Sequence, residues 1–142
     1  HAAPAAQSVA APRKARPVAD VPKSPKPTHQ ELVDLAERIP TIEDMEQTGI
    51  YDVDAHRSPI ELSKMAKIMG DLLDHAERDR SFRSEAMWFF DQCAMKEGVI
   101  PAVGSVSLFY LRKLAKEEGV EVDLKRYPES FVKASDRLLS AE

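Results

Sequence analysis

The chain has 142 residues, with 20 Lys and Arg against 24 Asp and Glu, ten Pro, five Gly and a single Cys. This length holds one domain core rather than two. One cysteine excludes an internal disulfide and a Cys-based zinc site, and no apolar run approaches the roughly 18 to 20 residues that a membrane-spanning helix requires.

Six of the ten prolines (Pro4, Pro12, Pro17, Pro22, Pro25 and Pro27) fall in residues 1–27, which contain no Leu, Ile, Phe, Trp or Tyr. Such a stretch cannot bury enough surface to offset the entropy of ordering it, so residues 1–27 are expected to be a disordered Pro/Ala/Lys-rich tail or linker. Polyproline II character is expected at Val21 to Pro27. The tail carries Arg13, Lys14, Arg16, Lys23 and Lys26 against Asp20, a net +4, whereas residues 28–142 carry 15 basic and 23 acidic side chains, a net −8. An acidic folded part is a poor candidate for nucleic-acid binding, because phosphate neutralisation needs a basic face. The five basic tail residues are instead the candidates for contact with an anionic surface. The first reading of the tail is a spacer, with a Pro-x-x-Pro ligand at Pro22 to Pro25 as the alternative. The Ala-rich start His1-Ala2-Ala3-Pro4-Ala5-Ala6, without Met, looks like the junction that signal peptidase leaves. Export to the periplasm or cell surface is therefore one expectation, and a cytoplasmic protein with a tag remnant at His1 is the other.

Folded sequence is expected over residues 28–142. Thr28-His29-Gln30-Glu31 has capping-box spacing and is followed by Leu32, Leu35, Ala36 and Ile39 on one helical face, with Pro40 as the stop. Thr41 to Gln47 reads as one short turn or helix, with Thr41 as cap, Ile42 and Met45 inward, and Gly49 as stop. Ser58-Pro59-Ile60-Glu61 is the clearest start signal: a hydroxyl cap, Pro at the first helical position and Glu reaching back. The helix that follows, to about Arg80, places Leu62, Met65, Ala66, Met69, Leu72, Leu73 and Ala76 on a core stripe, with Lys64, Lys67, Asp71, Asp74 and His75 elsewhere.

A helix from about Ser81 to Glu97 has Phe82, Ala86, Phe89, Phe90 and Cys93 on one stripe and Trp88 with Met95 on another. Gly98 is its expected stop and Pro101 the start of the next helix, which runs to about Glu118 and closes at Gly119. Gly104 and Ser105 allow that helix a close neighbour. Val120 to Leu124 alternates like an extended segment. Tyr127-Pro128 opens a last helix with Phe131, Ser135, Leu138 and Leu139 inward. The fold class is all-α: a compact bundle or short α-α hairpin array of about five helices, centred on the 81–118 hairpin. Arg83-Ser84-Glu85-Ala86-Met87-Trp88-Phe89-Phe90 resembles the first helix of a HEAT-type repeat over that stretch alone, and no internal period accompanies it.

Chemistry-bearing motifs are sparse. Asp52-Val53-Asp54-Ala55-His56 begins like an EF-hand loop, but Arg57 stands where the loop needs Gly and Ser63 where it needs Glu. Asp71 and His75 lie four apart on one helix, two ligands short of a metal site and more simply an i,i+4 pair. Cys93 in mid-helix beside Phe89 and Phe90 reads as a buried structural thiol. No nucleophile elbow, phosphate loop or dinucleotide fingerprint is present. No cofactor or metal is therefore expected, and the first functional reading is a non-enzymatic helical interaction or adaptor domain on a flexible tether, with another protein as partner. Trp88 and Met95 are its candidate partner-binding residues, since both types are enriched at interface centres. The alternatives are a small all-α enzyme or ligand-binding protein with a carboxylate/His site, and binding of an anionic surface or nucleic acid by the tail.

Overall fold

The computed structural model describes residues 24–47 and 58–142. Among these the chain is all-α, with six helices and no strand: α1 (His29–Ala36), α2 (Ile42–Glu46), α3 (Leu62–Arg78), α4 (Arg83–Met95), α5 (Pro101–Glu118) and α6 (Glu129–Ser140). Single 3-10 turns at Arg80–Phe82 and Leu124–Arg126 lead toward α4 and α6. The expectations for residues 1–23, for Gly49 and for Asp52 to His56 lie outside the described residues.

Local signals set several boundaries. Thr28 and Glu31 make both bonds of a capping box at the start of α1, satisfying donors that a helix N-terminus otherwise leaves open. Pro101 occupies the first turn of α5, and Gly119 ends that helix at φ +70°, a left-handed conformation that glycine adopts without a Cβ penalty.

The α4–α5 hairpin is the centre of the core. Phe89, Phe90 and Cys93 from α4 meet Leu108 and Leu114 from α5, all fully buried. Removing each such large side chain from water contributes about 1.5–3 kcal/mol. α3 packs on both hairpin helices, presenting Met65, Met69, Leu72, Leu73 and Ala76. α1 adds Leu32 against α4, and α6 lies along α5. At the α5–α6 contact the Phe131 ring covers Gly104 so closely that a Cβ there would overlap it.

Segments remote in sequence are joined at one pole by main-chain bonds. The Ile60 amide donates to the Arg38 carbonyl at 2.9 Å, Ile42 to Gly98 at 2.8 Å and Ile100 to Pro40 at 3.3 Å. The Lys96 ammonium donates to the Ile39 carbonyl at 2.6 Å, and Thr41 and Val99 form an isolated antiparallel bridge.

This seam overrides three local expectations. Ser58 does not cap a helix: its carbonyl accepts from Arg38 Nε at 2.9 Å, Ile60 is buried in the core, and α3 begins at Leu62. Burial of Ile60 and bonding to Arg38 keep Ser58–Ile60 extended. Ile42 and Met45 do not face inward. α2 has the expected Thr41 cap, with Asp44 answering it, but Thr41 and Ile42 are already tied to Val99 and Gly98, and the outward side of this one-turn helix leaves Ile42 and Met45 45% and 56% exposed. Leu62 and Ala66 are exposed as well, in the first turns of α3.

Other differences are smaller. Asp74 is buried rather than solvated. A 3-10 turn capped by Asp79 replaces the expected start of α4 at Ser81, and α4 ends at Met95, three residues before Gly98, which turns the chain at φ +74°. Leu138 is exposed rather than inward, while Phe131 and Ser135 are buried as expected. Ordered contacts also begin before Thr28: the Ser24 hydroxyl donates to Asp71 at 3.2 Å, and His75 Nε2 lies 3.0 Å from the Ser24 carbonyl.

Candidate functional site

Among the described residues a groove of about 640 Å³ lies beside α4. Its apolar wall combines Met87 and Trp88 of α4, Leu111 of α5, and Val120 and Val122 of the segment joining α5 to the second 3-10 turn. That joining segment is held in place from both ends. Gly119 turns the chain off α5, the Val120 amide returns to the Ala115 carbonyl at 2.9 Å, and the Asp123 carboxylate caps the next turn through the Lys125 amide at 3.2 Å. Beyond it the Tyr127 hydroxyl donates to Asp91 on α4.

Several charged side chains beside the apolar wall are paired with one another. Arg83 donates from Nη1 to Glu118 at 2.7 Å and from Nε to the Ala76 carbonyl at 2.9 Å. Its other terminal nitrogen lies 3.3 Å from Glu117, and Arg80 lies 3.2 Å from Glu118. The Arg83 hydrogen bond, with Arg80 nearby, holds the Glu118 carboxyl below its usual range. Burial and then the bonded Asp91 push the Tyr127 phenol upward. Arg126 stands 3.5 Å from Asp91, with its guanidinium 5.5 Å from the centre of the Tyr127 ring. The arrangement is an apolar strip flanked by ion pairs of Arg80, Arg83 and Arg126 with Glu117, Glu118 and Asp91.

Trp88 is half-buried. The His29 ring of α1 lies 5.4 Å from it, tilted, and His29 Nδ1 is 3.6 Å from Glu85. Trp88 thus contacts the N-terminal segment while also lining the groove. Met95, two turns along α4, does not line the groove and is 43% exposed at the end of the helix. The two residues share a helix without forming one site.

Of the five basic tail residues, Lys26 is described and the other four, Arg13, Lys14, Arg16 and Lys23, lie outside the described residues. Lys26 pairs with Asp79 and sits 5.7 Å above the centre of the Phe82 ring. Asp71 and His75 are engaged by Ser24, and Asp71 also lies 3.4 Å from Lys67. No group of three His, Cys, Asp or Glu among the described residues is placed to hold a metal ion. Cys93 is buried, and burial pushes its thiol up to about 12, far from the range of an activated nucleophile. No described helix is long and apolar enough to cross a membrane.

Reading one helix at a time finds Trp88 but misses the groove's opposite side. Val120 and Val122 carry a visible alternation, yet nothing local indicates that they face Trp88. Tyr127 and Asp91 are 36 residues apart and have no shared pattern. The chain matches no protein-family model, no curated protein and no solved structure.

Proposed function

We propose that this chain is a non-enzymatic helical interaction domain and that the Trp88 groove is where it takes hold of a partner protein. The observation that carries this reading is a half-buried Trp on an open strip of Met87, Leu111, Val120 and Val122, flanked by the ion pairs of Arg80, Arg83 and Arg126. A partly exposed aromatic in a preformed concavity supplies contact area with little further ordering, the property of residues that dominate interface energies. The charged rim gives the partner's polar groups an orientation around the apolar strip.

The test is cross-linking and pull-down from the native source with the full chain and with Trp88→Ala. Loss of one specific partner, with helical circular dichroism retained, is the expected result. An unchanged set of captured proteins would remove the groove from consideration.

A further inference from the structure

We propose that the side of α3 beneath residues 24–27, together with the Phe82 ring, is a recognition surface for an extended segment of another protein that carries a lysine between two prolines. This chain's own Ser24-Pro25-Lys26-Pro27 is its occupant in cis, and the partner's segment replaces it. Asp71, His75, Asp79 and Phe82, which form the surface, do not line the Trp88 groove. The two surfaces are therefore independent.

Such a segment is ordered before it binds. The rings fix φ at Pro25 and Pro27, and each ring pushes the residue before it, Ser24 or Lys26, out of the helical region. Thr28 continues the extended path at φ −79° and ψ 166°. A polyproline-type strand advances about 3.1 Å per residue, so two residues cover about 6 Å. Four residues of an α-helix also rise about 6 Å.

The contacts follow that shared spacing. Asp71, His75 and Asp79 stand four residues apart along α3 and its C-cap. The Ser24 hydroxyl donates to Asp71 at 3.2 Å, and the Ser24 carbonyl lies 3.0 Å from His75 Nε2. Two residues on, the Lys26 ammonium meets Asp79 and stands 5.7 Å above the centre of the Phe82 ring.

The lysine's seat has supports of its own. Asp79 Oδ1 accepts from the Ser81 amide at 3.1 Å and the Ser81 hydroxyl at 2.7 Å, while Oδ2 faces the lysine. Phe82 is buried in the core, and the His75 ring packs edge-on 6.1 Å from it. A carboxylate and an aromatic face fixed in this way take a cation without rearranging. The occupant is held more loosely than its seat. None of residues 24–27 is buried, and the Lys26 and Asp79 side chains are 44% and 39% exposed. An ion pair this wet contributes little to the fold, so its release leaves the core intact.

The experiment follows the backbone amides of His75, Ser81 and Phe82 by NMR in the isotope-labelled full chain while a capped peptide of sequence Ser-Pro-Lys-Pro-Thr is added. The peptide is expected to shift these amides saturably, with an apparent Kd on the order of millimolar for so few contacts. In Lys26→Gln the lysine in cis is withdrawn, and the same peptide should bind about ten-fold more tightly, because the tethered competitor no longer acts at its high effective concentration. A peptide with Gln in place of Lys should shift these amides in neither chain. Amides that stay unmoved in both chains would overturn the proposal. Equal affinity for the native chain and Lys26→Gln would overturn it too, by placing the peptide elsewhere, and equal binding of the Gln peptide would do so by removing the lysine. Shifts in the native chain that grow with protein concentration alone would give the seat to a second copy rather than to a different protein.

Discussion

The two sides of the α4–α5 hairpin use similar residues to opposite ends. On one side Phe89, Phe90 and Cys93 are sealed beneath α3 and α5, and farther along α5 the Phe131 ring closes over Gly104. On the other, Trp88 and Met87 look onto Val120 and Val122 across open space. Apolar content does not distinguish the sides. What distinguishes them is the neighbour: a long helix with its own apolar stripe on one side, and a helix-free segment rich in carboxylates on the other. A helix that is apolar around most of its circumference can therefore build a core with one face and leave another partly open.

Breaking the closed side should have the largest effect. Phe89→Ala is expected to lower unfolding free energy by about 3–5 kcal/mol, measured by denaturant titration, because a fully packed site leaves a cavity when truncated. A loss under about 1 kcal/mol would mean that this side is no better packed than the groove. Gly104→Ala comes next, at about 1–3 kcal/mol, since the added methyl must displace the Phe131 ring or shift α6. Combining it with Phe131→Leu should recover part of the loss, and strict additivity of the two changes would contradict the close approach. Trp88→Ala is expected to cost less, about 1–2 kcal/mol, because its side chain is only partly buried and its loss opens no sealed cavity.

The smallest effect concerns the strap that runs from Ser24 beside the groove. Hydrogen bonds from Lys26 and then Ser81 lower the Asp79 carboxyl to about 2 from an ordinary 3.8. A carboxyl held down in the folded state contributes stability above its ordinary value, and that contribution is lost as pH falls through about 2. Lys26→Gln should therefore narrow the gap between stability at pH 5 and at pH 2, read as a smaller drop in thermal midpoint. An identical acid profile for both chains would show that the Lys26–Asp79 pair does not persist in solution.

Most of the closed side is legible in the sequence, whereas most of the open side is not. Pro101 and Gly119 mark the ends of α5 because their backbone preferences act within a turn. The stripe of Phe89, Phe90 and Cys93 is a repeating pattern that burial completes. Ser58 misleads because the competing interactions, Arg38 to Ser58 and Ile60 to Arg38, join residues about twenty positions apart. Ile42 and Met45 mislead for a related reason: a cap fixes where a helix starts, and only its neighbours fix which way it is turned. The groove lies beyond either kind of signal, since Trp88, Val120 and Tyr127 come from three elements and meet only through the tertiary arrangement.

The main-chain bonds at the pole carry a consequence for motion. Amide groups inside a helix are released by fraying of that helix alone, but those of Ile42, Ile60 and Ile100 give their protons to carbonyls on other segments. They are released only when those segments part. Hydrogen exchange at these three positions is therefore expected to follow the parting of the 38–42 stretch from its partners. Exchange at these three amides thus gauges how often the 38–42 stretch parts from its partners.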